Sequence, residues 1–521
     1  MPAPGGHEGE GSMASSLAPA MPAEAGAAGE KGLKGGALGF ISGVVIGVAS
    51  TAPGYSLAAS LGLVAAAVGL QAPAIMIVAF VPMLFIAAAY YYLNRADPDC
   101  GTTFSWVTRA MGPWVGWLGG WGIILADIIV MANLSEIASL YTYQLFGIAN
   151  PDTWAVMAVG VLWIVVMTYI TWVGIELSAR TQVALLSMEL ITLVIFAVVA
   201  LIKVFGGGVD GAVTPTLDWI NPLSISDPSA LAAGVLVAIF IYWGWDSTVT
   251  VNEESQDATE GPGKAALVAT LILVAIYILV SIAAQAYHGA DFLSAPENQA
   301  DVLGALATAV LGSPLDKLLI IAVLSSAAAS TQPTILPPAR TVLSMSAKRA
   351  LPRYWARINP RFLTPGPATI WMGVLSIVWY VGLKLVSENI LYDAIAALGL
   401  MIAFYYGLTG YACVLYYRHE LFKSVKNLFF IGVCPLIGAL ILTWALVKSV
   451  IDLSDPANST SGESWFGFGP PLVIAGVLML VGVVLMFAQR IREPEFFRRG
   501  FEVVDPGVAI HGATDARHGG A

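Results

Sequence analysis

About twelve apolar stretches, each close to membrane-spanning length, constrain what this chain can fold into. They run near 38–66, 73–93, 114–146, 154–174, 180–205, 231–253, 264–287, 317–343, 368–386, 391–417, 428–451 and 470–489. A hydrocarbon core of roughly 30 Å is crossed by about 20 helical residues. Within lipid only helices and closed barrels satisfy their own backbone groups. Hydrophobic residues fill 57% of the 521 positions and charged residues 11%, too little charge to coat soluble domains of this total length. The sequence therefore predicts an all-α polytopic membrane protein with about 12 transmembrane helices.

Its orientation follows from the basic residues. With the N-terminus inside and the segments alternating, every one of the 24 lysines and arginines except Lys203, Lys317, Lys384 and Lys448 falls on the cytoplasmic side, the bias that sets topology. The expected location is the cytoplasmic membrane, multi-pass, with both termini in the cytoplasm. Residues 1–34 read as a disordered cytoplasmic tail and 491–521 as a second tail, flanking one membrane domain over 35–490. The first tail lacks the basic start, short apolar core and cleavage site of a signal peptide. Cys100 falls on the cytoplasmic side, and Cys413 and Cys434 in helices, so no structural disulfide is expected. The net charge of −10 gives no argument for a nucleic-acid partner, and nothing in the sequence fixes an oligomeric state.

Two of the apolar segments are interrupted at mid-depth. The first carries "STAPGYS" at 50–56, and the sixth, "ALAAGVLVAIFIYWGWDSTVTVNEES", breaks at Gly244 between two tryptophans with Asp246 following. These segments open two five-helix blocks, about 38–205 and 231–417. An odd number of helices per block inverts the second, giving a five-plus-five inverted repeat with discontinuous helices 1 and 6, and 428–490 adds two C-terminal helices. Paired interruptions of this kind point to a transporter's substrate site at the membrane midplane. Breaking a helix in lipid strands N–H and C=O groups at a cost of several kcal/mol each, and a ligand can satisfy them. The helix beginning after the first break offers N–H donors to an anion, while carbonyls ending near Tyr242 accept from a cation. A zwitterionic amino acid suits that pair. Taken alone, "STAPGYS" also reads as a tolerated kink, since Gly, Pro, Ser and Thr are common in membrane helices.

Four stretches together resemble a known family: the first-segment break, "CGTTFSWVTRAMGPWVGWLGGWG" (100–122), "FIYWGWDSTVTVNEES" (240–255) and "ARTVLSMSAKRALPRYWARINPRFLTPGPA" (339–368). In their order along 38–490 they are similar to the amino acid–polyamine–organocation superfamily of permeases, which have the leucine-transporter type of fold. Two positions depart from it. Gly244-Trp245-Asp246 stands where members often have Gly-Phe-Glu, and the first break lacks the usual Gly-Ser-Gly-like form. The resemblance implies that Ser50, Thr51, Ala52 and Gly54 receive a substrate carboxylate, mainly through backbone N–H groups. It implies that carbonyls around Ile241, Tyr242 and Trp243, beside Gly244, take the amine. It makes Phe240 a candidate aromatic gate, the alternative being a packed ring.

Ionisable residues inside a membrane are functional candidates by default. Glu189, in "RTQVALLSMELITLV", has no basic neighbour in sequence, and the resemblance places it where some proton-coupled relatives carry a lysine. It is a candidate for proton coupling, or else for a structural hydrogen bond. Ser325 and Ser326, by their spacing from Gln332-Pro333, resemble a sodium-binding hydroxyl pair, although Ser also serves as a small packing residue. Asp127, Glu136 and Asp246 are possible cavity acids. Asp127 and Glu136, nine residues apart, lie half a turn out of phase and cannot share one helix face. Asp246 and Glu253, seven apart, share a face leading toward the cytoplasm, with Glu253 and Glu254 expected as a solvated helix end. The five histidines, His7, His288, His419, His511 and His518, fall in tails or near helix ends, which argues against a mid-membrane histidine relay.

An enzyme is hard to support. "GPGK" at 261–264 lacks the remaining residues of a phosphate loop, and the sequence shows no zinc spacing or dinucleotide fingerprint. No metal and no resident cofactor are expected, only a co-transported proton or sodium ion. The expectation is a secondary transporter of amino acids working by alternating access with proton coupling, its partners a small-molecule amino acid or amine and the lipid bilayer. The alternatives are a polyamine or organic-amine permease or exchanger, or a non-transporting amino-acid sensor on the same scaffold.

Overall fold

The computed structural model describes residues 31–148, 150–299, 301–386 and 390–500, so most of both expected tails lies outside the described residues. Pro53 supplies no N–H and its ring crowds the carbonyl four residues back, which ends one helix and starts another. The first segment accordingly divides into α1 (Phe40–Thr51) and α2 (Pro53–Val68), joined at Ala52 in the left-handed conformation (φ 49°, ψ 64°). Then follow α3 (Ala72–Ala96), the short α4 (Thr103–Met111), α5 (Pro113–Leu145), α6 (Thr153–Val173) and α7 (Ile175–Phe205). The sixth segment gives α8 (Pro228–Tyr242), an irregular stretch, and a single turn α9 (Ser247–Thr250). Beyond it run α10 (Gly261–Ser294), α11 (Val302–Leu311), α12 (Asp316–Ala347), α13 (Gly366–Val386) and α14 (Ile390–Tyr416). A turn α15 (Val425–Asn427) leads through π-helix into α16 (Cys434–Asp452), and α17 (Pro470–Arg492) and α18 (Pro494–Arg499) finish the described chain.

Ten helical runs among the described residues are long and apolar enough to cross a bilayer, with Phe40–Ala96 counted as one. That run holds the first two segments, and α8 stops after 15 residues at the break. The two facts reconcile ten runs with the twelve segments in the sequence. The helix α5 packs along α12, and both are largely enclosed by neighbours. Helices α6, α7, α13 and α17 turn side chains such as Leu162, Ile191, Val378 and Val484 outward, as lipid-facing helices must.

The two broken helices lie inside this frame: α1 and α2 touch α10 and α12, while α8 touches α2, α3 and α14. Residues 31–34, which composition assigns to the N-terminal tail, instead pack onto the body. Leu33 is fully buried against Cys100, Leu343 and Ala356. Cys100, Cys413 and Cys434 are buried free thiols.

Candidate functional site

At the first break the stranded backbone groups already have partners, and the most telling is an anion from the protein itself. The Gly54 amide donates to Glu189 Oε1 at 2.7 Å, and the Tyr55 amide donates to Ser326 Oγ at 3.2 Å. The Ser326 hydroxyl in turn donates to the same Glu189 oxygen at 2.8 Å. A carboxyl group at the start of α2 sits where N–H groups point outward and the helix dipole favours negative charge. The carbonyls before the break are held by hydroxyls: Ser56 Oγ donates to Thr51 O at 2.6 Å, Thr51 Oγ1 to Val48 O at 2.6 Å, and Ser330 Oγ to Ala49 O.

The second break meets the first. Gly244 adopts φ +117°, and a Cβ there would lie 2.8 Å from both the carbonyl carbon and oxygen of Ser50. Only glycine combines that backbone with that approach. Across the same contact Ser50 Oγ and Ser247 Oγ share a hydrogen bond of 2.7 Å. The Ile241 carbonyl accepts from Tyr277 Oη at 2.6 Å, and the Tyr242 hydroxyl donates to Met76 O at 2.9 Å. Trp243 Nε1 donates to Tyr405 Oη. Asp246 accepts from Tyr405 Oη at 3.2 Å and Tyr406 Oη at 2.9 Å. Phe240 is buried with its ring edge-on to Tyr55, centroids 6.1 Å apart.

The structure thus brings Ser50 and Gly244 together, with Glu189 and Ser326 on the first break and Asp246 on the second, while Ser325 and Glu136 are engaged elsewhere. Ser325 turns back to donate to Ala322 O in its own helix. Glu136 lies in a buried ion pair with Lys384 at 2.9 Å and accepts from Tyr380 Oη at 2.7 Å, tying α5 to α13. Asp127 is buried beside Thr334, Pro338 and Ser376, with its Oδ2 lacking a hydrogen-bond partner. Among the described residues Glu189, Asp246 and Asp127 form no ion pair. These three acids are therefore buried without a cation beside them.

Two sequence expectations on the basic face need correction. Glu254 is not a solvated end: it is fully buried and takes both Nε (2.6 Å) and Nη2 (2.8 Å) of the equally buried Arg340. A carboxylate can enter the interior there because a bidentate guanidinium accompanies it. Asp246 and Glu253 do not share a helix face either. After one turn of α9 the chain passes into 3₁₀ geometry over Asn252–Glu254, so the α-helical spacing does not apply. Glu253 instead pairs with Lys31.

Sequence reasoning also missed Ser330, Tyr277, Tyr405 and Tyr406. Ser330 had a usable signal: four residues after Ser326, it shares that residue's helix face. The tyrosines gave none, because in apolar helices they look like interface or packing residues.

An all-helical membrane fold whose two discontinuous helices touch at Ser50 and Gly244, with Glu189 on the first break and Asp246 on the second, has the layout of a membrane transporter. A family model described as amino acid permease matches residues 36–485, and the chain belongs to that family. It is 27% identical to an uncharacterized transporter of Mycobacterium tuberculosis over 65% of this chain and 72% of the relative. It is 21% identical to a low-affinity putrescine importer of Escherichia coli over 76% of this chain and 85% of the relative. To an arginine/ornithine antiporter of Latilactobacillus sakei it is 22% identical, over 61% and 67% of the two chains. The chain is a transporter of the amino acid or polyamine type.

Proposed function

We propose that the protein carries an organic cation, a dibasic amino acid or a diamine, across the cytoplasmic membrane by alternating access, and that Glu189 is its proton-exchange group. The observation that carries this reading is the set of three carboxyl groups, on Glu189, Asp246 and Asp127, buried with no basic side chain against them among the described residues. An unaccompanied carboxylate in a membrane interior costs several kcal/mol. Such groups persist when they hold a proton or receive a cation from a guest. Asp246, at the second break with two tyrosine hydroxyls on it, is the ammonium or guanidinium site in this reading.

The first break supports the same choice. The N–H groups that a substrate carboxylate would use are directed to Glu189 and Ser326, so the cradle carries a carboxyl group before any substrate arrives. A guest bearing net positive charge gains from the acids, and a diamine, having no carboxylate, makes no demand on those donors. Protonating Glu189 loosens its hold on α2, and that links a proton to the movement of the broken helices. Ser325 faces its own helix, so the hydroxyl pair that sodium would need is not assembled, which favours the proton. Two of the relatives are named for putrescine and for arginine and ornithine, all of them cationic molecules. The five-plus-five repeat over 38–417, with both termini in the cytoplasm, is the architecture that this mechanism uses.

Uptake by the purified protein in proteoliposomes tests the proposal. Labelled arginine or putrescine should accumulate when the outside is made acidic, and an imposed sodium gradient should add nothing. Failure to accumulate either compound under both gradients would remove the reading.

A further inference from the structure

On the basic face, away from the first helix break, one lysine joins three parts of the chain: its own segment, the loop after α3 and the segment after α9. Lys31 Nζ lies 2.9 Å from Asp99 Oδ2, hydrogen-bonds Glu253, and stands 3.7 Å from Cys100 Sγ. It is a tethered cation seated on the three groups Asp99, Cys100 and Glu253, whose ligand atoms all lie within 4.8 Å of one another. Asp99 is further bound by Lys348 and by the Ser105 and Ser344 hydroxyls, both at 2.6 Å. Glu253 also accepts from the Cys100 amide at 2.9 Å. Backbone bonds stitch the segment before α1 to the segment after α9: Leu38 N to Glu254 O at 3.0 Å, and Gln256 N to Leu38 O at 2.9 Å. The entry to the first broken helix and the exit from the second are therefore joined as one piece. Arg340 and Lys31 join that piece to α12 and to the loop after α3.

The two attachments differ in character. Arg340–Glu254 is fully buried and bidentate, whereas Lys31 keeps about a tenth of its side chain exposed, at 13%, and comes from a segment at the edge of the body. Cys100, directly beneath it, has no exposure at all. Removing Lys31 would leave Glu253 with no ion-pair partner among the described residues, since Lys348 serves Asp99.

We infer that Lys31 is the latch that keeps the basic face closed, and that Cys100 beneath it becomes reachable when that face opens. The latch requires alternating access but no particular substrate. Its failure is thus distinguishable from failure of the substrate reading: one is read from a thiol, the other from uptake.

The native cysteine is the reporter. Full-length protein in proteoliposomes is treated with the membrane-permeant thiol reagent N-ethylmaleimide, and modification of Cys100, Cys413 and Cys434 is followed peptide by peptide. Lys31→Met should raise the rate at Cys100 about tenfold, the population shift expected when one charge pair is lost, and leave Cys413 and Cys434 unchanged. Lys31→Arg, which keeps the charge, should stay near the wild-type rate. An unchanged Cys100 rate in Lys31→Met would overturn the inference. So would an equal rise at all three cysteines, because that marks general loosening and not the opening of one face.

Discussion

Glu189 Oε1 lies 2.7 Å from the Gly54 amide nitrogen, a carboxyl group from α7 closing the start of α2. The bond joins a membrane-embedded acid to the hinge of the first broken helix. A protonated Glu189 accepts more weakly than a carboxylate, since charge-assisted bonds are roughly twice as strong as neutral ones. The hinge is therefore freer when the proton is on.

Glu189→Gln keeps an acceptor for Gly54 but cannot ionise. The variant should lose uptake driven by a pH gradient while exchanging internal for external substrate at a rate within about threefold of wild type, because only the charge-assisted part of the bond is altered. Counterflow and gradient-driven uptake measured on the same proteoliposomes separate the two. Unchanged gradient-driven uptake would rule out the coupling role.

Asp246 is the acid at the second break, and both its oxygens accept from tyrosines. Asp246→Asn preserves size and loses charge. Hydrogen bonds to charged groups contribute about 1.5–3 kcal/mol, so KM for a cationic substrate should rise about tenfold or more, with kcat falling less. Saturation kinetics of arginine uptake checks this. A KM that does not move would place the cation elsewhere.

Gly244→Ala tests whether the two breaks must touch. The new Cβ would meet the Ser50 carbonyl at 2.8 Å in a backbone of φ +117°, a combination costing on the order of 1–3 kcal/mol in strain alone. Transport should fall at least about tenfold, since that much strain is displaced onto the site. Gly476→Ala on α17, where nothing lies within 4 Å, should be neutral. Equal behaviour of the two variants in an uptake assay would contradict the contact's importance.

Much of this arrangement was legible in the sequence. Pro53 and Gly244 announced both breaks, because those residues cannot continue a helix in lipid without consequence. Glu189 stood out because a lone acid among apolar residues is expensive. The choice within Ser325-Ser326 was not legible: adjacent helical positions point about 100° apart, and only packing decides which faces α2. Lys31 was hidden for a different reason. It follows a tail of Ala, Gly and Pro, and its partners Asp99 and Glu253 lie 68 and 222 positions away, beyond any local pattern. Glu254 looked solvated because its partner Arg340 is equally remote, 86 positions along the chain.

The pH response of the latch follows from its two best-defined charges. Burial alone would raise Asp99, but the Lys31 and Lys348 ammonium groups hold it well below the usual carboxylate range. Burial alone would lower Lys31, but Asp99, Cys100 and Glu253 hold it well above the usual lysine range. A depressed acid contributes stability above its ordinary value of about 3.9 and loses it only as pH falls through the lower folded value. A raised lysine contributes below about 10.4 and loses it only as pH rises through the higher folded value. Between about pH 5 and 9 Lys31 and Asp99 therefore both stay charged. The ratio of Cys100 modification rates in Lys31→Met and wild type, each corrected for that protein's own thiolate fraction because Lys31 lies beside the sulfur, should be flat over that range. A ratio falling toward one inside that window would show that the latch titrates.

The central claim is that the site selects positive charge, and three molecules of one shape series test it directly. Arginine, its decarboxylated amine agmatine, and its neutral isostere citrulline compete in turn against labelled arginine uptake in proteoliposomes. Arginine and agmatine should both compete, and citrulline should be weaker by about tenfold or more, the worth of one charge-assisted bond. Citrulline competing as well as arginine would contradict the account.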